Sequence, residues 1–459
     1  MNNKNNQKNN HPALLVYVAV VGVAVLTAGP SYGGGFEDAL SKAYSANPTL
    51  QQARAGLRAT DESVPSALSG FRPNVSATGT ISDYSKETNT SAKKTELTPK
   101  TMSLNVTQPI FSGLGTVSSL RQAVNTVKAT RARLLGTEQN VLLATATAYL
   151  NVVRDGAVLK LNTNNEQVLG RQLDATRDRF KVGEITRTDV HLAEARLARA
   201  RAERIGAEGQ LETSKAAYAN IVGEAGGDFS APKLSLNLPK SLDEALLWGR
   251  EANPRVVAAK YDELAAKESA NSARASLMPS VNLNASAKRS IDSVQNNYRS
   301  DELTGTITLS IPLYQGGSAY SGLRRSKHQA AASRLALDQA LRDATEEIHR
   351  SWENNLTAWA RIGAFETQVK ASETALEGVE KEASVGSRTV LDVLDAEQEL
   401  LDARVNLVRS QRDVTVAALT LLSSVGRLTA KELKLPVDLY DAEGHYHDVK
   451  WKMFGGTID

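Results

Sequence analysis

Arg388, Asp392 and Asp395 are the charged residues whose spacing most readily does chemistry in this chain. They stand at i, i+4 and i+7, which puts one guanidinium and two carboxylates on a single helix face. Such a face is a solvated stripe with an Arg–Asp pair worth a few tenths of a kcal/mol, or a paired-carboxylate hydrolase site. Against a hydrolase, no His, Ser or aromatic cluster accompanies these acids, and the flanking period is that of a coiled coil. His445-x-His447 supplies two metal-ligating side chains in the tail, fewer than a zinc site uses, and reads as incidental. Gln315-Gly316-Gly317 is not followed by the Lys-Ser/Thr of a phosphate loop. These glycines read instead as the joint between a strand and a helix. No metal or cofactor is expected, and the chain does not read as an enzyme.

The element that must position the charged trio is Val385–Leu394. It reads as a helix end, a tight Val-Gly turn and a new helix. Gly386 supplies the positive φ of a helix C-terminus, and Thr389 or Ser387 caps the helix that follows. A weaker copy, Val182-Gly183-Glu184-Ile185-Thr186-Arg187-Thr188-Asp189-Val190, lies 203 residues earlier (385 − 182). Pro109-Ile110-Phe111-Ser112-Gly113 matches Pro312-Leu313-Tyr314-Gln315-Gly316 at the same offset (312 − 109). Asn47-Pro48 and Pro73 match Asn253-Pro254 and Pro279 at 206 (253 − 47). The change of offset places the length difference in a strand or its loop, where insertions are best tolerated. The chain is a tandem duplication, with repeats at 36–230 and 241–426 and a polar tail, Lys431–Asp459, without a readable period.

Phe36–Ala67 and Leu242–Leu277 each read as one helix with a loose apolar stripe. A Pro then opens an alternating stretch in each repeat: Val75, Ala77, Gly79, Ile81 and Val281, Leu283, Ala285, Ala287. Alternation returns in Met102, Leu104, Val106 and in Ile307, Leu309, Ile311, Leu313. These are four strands of about ten residues in two hairpins, with Ser85–Glu96 and Ser293–Ser300 as polar loops. Proline is missing between Pro109 and Pro232 and between Pro312 and Pro436, so both runs read as helix punctuated only by the Val-Gly turn. Val393/Leu394, Leu400/Leu401, Leu407/Val408 and Leu421/Leu422, with Val414 between, repeat every seven residues, the period of a coiled coil. Val190, Leu197, Leu211 and Tyr218 keep that register in the first copy, with Arg204 interrupting it and Ile205 filling in.

The chain has 459 residues, a formal net charge of +3 with both signs interspersed, and no cysteine. That excludes a nucleic-acid footprint, disulfides and thiol chemistry. Met1–Asn10 is polar and Ala13–Ala28 is uncharged and apolar, the pattern of a secretory signal peptide at 1–28. Ten tilted residues suffice for a transmembrane β-strand. Four strands cannot close, however, since the smallest membrane barrels have eight. A lipid-facing sheet with open edges is not viable either, so membrane strands here require several chains in one barrel. The alternative is a structural periplasmic coiled-coil tether without a pore, its hairpins capping a helical bundle.

The residues at the strand-to-helix joint, Ile311-Pro312-Leu313-Tyr314-Gln315-Gly316-Gly317, and at the far turn, Val385–Asp395, resemble those of the TolC-like outer-membrane channel proteins of Gram-negative bacteria. Phe180-Lys181-Val182-Gly183 with Thr188-Asp189-Val190 is the match in the first repeat. The resemblance implies an α+β membrane protein that works as a homotrimer. Each chain would give four strands to one 12-stranded outer-membrane barrel (3 × 4) and its helices to a long periplasmic α-barrel. Relatives pass proteins or small molecules outward, in type I secretion or multidrug efflux, coupled through a periplasmic adaptor to an inner-membrane ABC or proton-driven transporter. The resemblance also assigns Asp392 and Asp395 to a pore-constricting carboxylate ring, with Arg388 holding the iris shut. It assigns Thr188 and Asp189 to inter-coil links, although Ala383 stands where relatives often carry a Tyr partner. The lack of Cys departs from the lipid-anchored branch that serves mainly drug pumps.

Overall fold

The computed structural model describes residues 35–88, 91–232 and 234–457; the expected signal peptide at 1–28 lies outside them. In chain order the elements are α1 (Phe36–Ala46), α2 (Pro48–Asp61), α3 (Ser63–Leu68), β1 (Asn74–Ile81), β2 (Tyr84–Thr88), β3 (Ser91–Leu97), β4 (Lys100–Ser112), α4 (Gly115–Lys181) and α5 (Arg187–Val222). The second repeat follows with α6 (Leu242–Ala252), α7 (Pro254–Ala275), β5 (Ser280–Ile291), β6 (Arg299–Ser310), α8 (Ser318–Ser384) and α9 (Val390–Ser424). A short α10 (Gly444–Val449) lies in the tail. The duplication survives in the lengths: α4 and α8 have 67 residues each. None of the described helices is long and apolar enough to cross a membrane.

Two Asn-Pro elbows correct the reading of one helix at the start of each repeat. Asn47 Oδ1 accepts from the Thr49 and Leu50 amides at 3.0 and 3.4 Å and caps α2, with Pro48 as its first residue. Proline is favourable there because a first-turn N–H has no helical partner to lose. The Asn47 amide then donates to Ile221 O at 2.9 Å, near the end of α5. Asn253 repeats this with the Arg255 and Val256 amides at 2.9 and 3.4 Å and with Ser424 O at 2.9 Å. Each Asn therefore ends one helix, starts another and ties both to the returning coil.

The four long strands form one antiparallel sheet in the order β1-β4-β5-β6, so β4 and β5 join the two repeats. Register sorts the side chains by face. Rungs such as Ala77–Leu104–Ala287–Leu303 and Val75–Val106–Ala285–Gly305 alternate with Thr78–Ser103–Lys288–Glu302 and Ser76–Asn105–Ser286–Thr304. One face is apolar and uncovered by the other described residues, with Leu303 85% and Ile81 75% exposed; the other is polar throughout these rungs. Toward the hairpin tips the apolar face ends in Arg289 and Arg299, both paired with Asp301 at 2.6 and 2.7 Å.

Ser85–Glu96, expected as a loop, is largely the hairpin β2–β3, in which Tyr84 pairs with Leu97 and Ser85 with Glu96. It continues the β1–β4 ladder after a short break, Ile81 having paired with Lys100. A ladder standing in water needs paired backbone but no apolar face, which is why alternation did not reveal it.

Buried aromatic rings close the junction of α1, α4, α5 and the linker after α5. Phe36 meets Tyr149 at 5.3 Å, and Phe229 meets Tyr149 and Tyr218 at 5.3 and 5.0 Å. The tail, read as polar, packs as well: Leu435 and Val449 are buried, with Leu428 and Ala430 just ahead of it. His445 Nδ1 lies 3.1 Å from the buried Asp61 Oδ2, and Glu138 accepts the Ala430 amide at 2.8 Å. Tail apolar residues are too sparse for a period, and only some of them are buried; Trp451, Met453 and Phe454 stay exposed. Ile205 does not fill the coiled-coil register and is 59% exposed, because Arg204 reaches across to Glu166 of α4 at 2.7 Å.

Gly386 and Gly426 have φ of +80° and +81°. A Cβ at Gly386 would meet open space, whereas one at Gly426 would run into the Ala252 carbonyl and the Asn253 amide at the second elbow. Gly386→Ala is expected to cost about 1–2 kcal/mol, the left-handed penalty alone. Gly426→Ala is expected to cost more, since backbone must move. Melting temperatures of the two purified variants check the order.

Candidate gate at the two Val-Gly turns

The far tips of both helical hairpins are built from the same three devices. Val182 and Val385 end α4 and α8, and Gly183 and Gly386 follow with φ of +79° and +80°. Glu184 N donates to Arg179 O at 3.0 Å, and Ser387 N to Glu382 O at 3.0 Å, so the last helical carbonyls are satisfied by the returning chain. A capping box then opens each descending helix. Asp189 Oδ2 accepts the Thr186 amide and hydroxyl at 2.9 and 2.7 Å, and the Thr186 hydroxyl accepts Asp189 N at 3.3 Å. Asp392 and Thr389 repeat it at 2.8, 2.7 and 3.2 Å. The Thr-x-x-Asp spacing was visible in the sequence as a capping signature, and it makes Thr186, which the search for charge alone missed, the counterpart of Thr389. Thr389, not Ser387, is the cap.

These caps rearrange the expected constellation. Thr389 is extended, with φ −88° and ψ 161°, so α9 begins at Val390 and Arg388 lies in the turn before it. The i, i+4, i+7 face therefore holds only Asp392 and Asp395. Arg388 Nε donates instead to Glu382 Oε2 at 2.8 Å, on the last turn of α8. Asp395 Oδ1 accepts from Arg196 Nη2 of α5 at 2.5 Å, a partner 199 residues away (395 − 196) that no local period could announce. In the first repeat Thr188 is exposed and Asp189 is taken up by its cap. Ala383 is buried and offers no hydroxyl for a latch.

Electrostatics follow from these bonds. The Thr389 amide, then its hydroxyl, hold the Asp392 carboxyl below the usual carboxylate range. Glu382 beside Arg388 holds that guanidinium charged. Two residues beyond Asp395, burial and then Glu380 push the Glu397 carboxyl up. Below the charged tips, Val390 and Leu394 of α9 enter an apolar cluster with Leu169 and Leu173 of α4 and Ala193 and Ala200 of α5. Leu394 is only 1% exposed, so the two hairpins of one chain are packed together here. Chemically, the tips can hold helices in register and present carboxylates; they assemble no nucleophile and base, and no cluster of metal ligands occurs among the described residues.

Residues 39–224 and 249–427 match the family described as outer membrane efflux protein. The chain is 33% identical to the outer membrane efflux protein BepC of Brucella suis over 96% of each chain. It is 27% identical to the outer membrane protein TolC of Vibrio cholerae over 84% of this chain and 89% of that one. Among solved structures, the outer membrane protein VceC of Vibrio cholerae superposes with a TM-score of 0.76 at 21% identity, covering 85% of this chain and 96% of that one. That last likeness speaks to the fold.

Thr389→Ala removes the cap hydroxyl and is expected to cost about 1 kcal/mol of local helix stability, read as faster amide exchange in the first turn of α9. The pH dependence has a definite sign. Asp392 has a folded pKa below its ordinary 3.8, so its contribution is present above that value and lost as pH falls further through the folded pKa. Glu397, raised from 4.5, acts oppositely and favours the packed state in acid. Exchange measured from pH 7 downward is expected to show the α9 N-terminus intact through pH 5 and fraying only below the ordinary Asp value.

Proposed function

The chain belongs to the outer membrane efflux protein family, and from that membership we propose that three copies of it form one exit duct from the periplasm to the exterior. Each chain contributes β1, β4, β5 and β6 to a 12-stranded barrel (3 × 4) and α4, α5, α8 and α9 to a periplasmic α-barrel. An inner-membrane transporter, ABC or proton-driven, delivers proteins or small molecules through a periplasmic adaptor. The observation that carries this reading is the two-faced sheet. Its apolar face suits lipid, its polar face suits a water-filled lumen, and β1 and β6 each have one side without a strand partner among the described residues. In hydrocarbon, each unpaired backbone group costs several kcal/mol, so the two bare edges are satisfied by those of neighbouring copies. A pore-less tether would leave the same apolar face in water.

At the other end, the Val-Gly tips form the resting constriction. Asp392 and Asp395 contribute six carboxylates per duct (2 × 3), which attract cations and reject anions. Asp392 spends one oxygen on its cap yet keeps its charge, as its lowered pKa requires. Arg388 braces the tip through Glu382, and Thr188 with Asp189 faces the neighbouring coil.

Native mass measurement of the detergent-extracted protein is expected to count three chains; a stable monomeric pore would sink the proposal. An epitope inserted after Gln295, in the turn between β5 and β6, is expected to be labelled on intact cells with export retained. Labelling only after the outer membrane is permeabilised would reverse the orientation.

A further inference from the structure

We infer that Arg196 sets the charge of the constriction by masking Asp395 while the two hairpins of each chain are packed, and by releasing it when they part. This rests on the carboxylate ring proposed above and adds a residue to it. The ion pair is the direct polar bridge from α5 to Asp395, and it sits beside Leu394, the side chain that α9 buries among Leu169, Leu173 and Ala193. Burial of Leu394 fixes the rotation of α9, and that rotation aims its neighbour at α5. Arg196 is the more enclosed partner, 24% exposed against 56% for Asp395, so the guanidinium is held by the coil and the carboxylate is the group left facing water. Asp392 and Asp395 are therefore unequal: Asp392 is bonded to neutral groups of its own cap and carries its full charge, while Asp395 is offset by a cation from the other repeat.

In the packed state, three of the six carboxylates of the ring (1 × 3 of 2 × 3) are compensated. Separation of the hairpins stretches the Arg196–Asp395 contact and unmasks the second set, so opening raises the negative charge of the passage as it widens it. An Arg at 196 thus lowers the cation preference of the resting duct without lining its narrowest point.

The experiment uses the full-length protein in planar lipid bilayers, reading reversal potential in a KCl gradient and block by a trivalent cation. Arg196→Gln is expected to raise the K⁺ to Cl⁻ permeability ratio, by roughly twofold or more, and to strengthen the block. Arg196→Lys is expected to stay near the parent. In the Asp395→Asn background, Arg196→Gln is expected to add nothing to selectivity, because there is no charge to unmask. Equal selectivity of parent and Arg196→Gln, or an equal effect in both backgrounds, would overturn the inference and leave Arg196 a packing residue. The double variant Asp392→Asn with Asp395→Asn separates the two levels: if it leaves selectivity at the parent value, the carboxylate ring itself fails, whatever Arg196 does.

Discussion

A backbone amide in contact with hydrocarbon has to be hydrogen-bonded, and β1 and β6 each leave one row of amides and carbonyls without a strand partner among the described residues. That constraint reaches far beyond the sheet. It demands a strand order in which the two repeats meet at β4 and β5, leaving one free edge from each. In the proposed barrel it demands alternation along every strand, with lipid on one side of the ladder and water on the other. It also decides where alternation stops: β2 and β3 prolong the ladder past the apolar rungs with a largely polar sequence, Tyr84 and Leu97 pairing at its base.

Below the sheet, rigidity comes from paired small devices rather than from one large core. Each Asn-Pro elbow ends one helix and starts another, and the same Asn holds the returning coil. Each tip combines a glycine at positive φ with a Thr-x-x-Asp box. A capping box is worth on the order of 1 kcal/mol. Its value to a coil tens of residues long lies in fixing the first residue of the descending helix, hence the phase of every apolar position after it. Val390 and Leu394 reach the first hairpin because Thr389 starts α9 where it does.

Much of this was legible because duplication repeats its own punctuation. Pro312, Gly183 and Gly386, and Asn47 and Asn253 marked element borders, whereas Pro109 falls inside β4 at its bulge; the seven-residue pairs in α9 marked its buried stripe. The four membrane strands were read from alternation, a local property of each strand. What escaped was set by partners distant in sequence or by groups too few to make a period. Arg388 was placed on a helix face by spacing, but the extended Thr389 ends that face one residue short of it. Arg196 showed nothing, because its meaning depends on Asp395 in the other repeat. The tail looked featureless, although Leu435 joins the main apolar cluster with Leu428 and Ala430 just before it, and Val449 is buried.

The equal length of α4 and α8, 67 residues each, makes the two hairpins share one ruler. Lengthening α4 alone by one heptad would carry its tip about 10 Å past that of α8. Arg196 and Leu394 would then no longer lie at the same depth. An insertion of three or four residues would also rotate the apolar stripe away from its partner. Length in this molecule is therefore inherited in fours: a viable change in reach must come as whole heptads, added together to both ascending and both descending helices. Reach is thus far harder to alter than the loops at the opposite end, where each hairpin can grow alone.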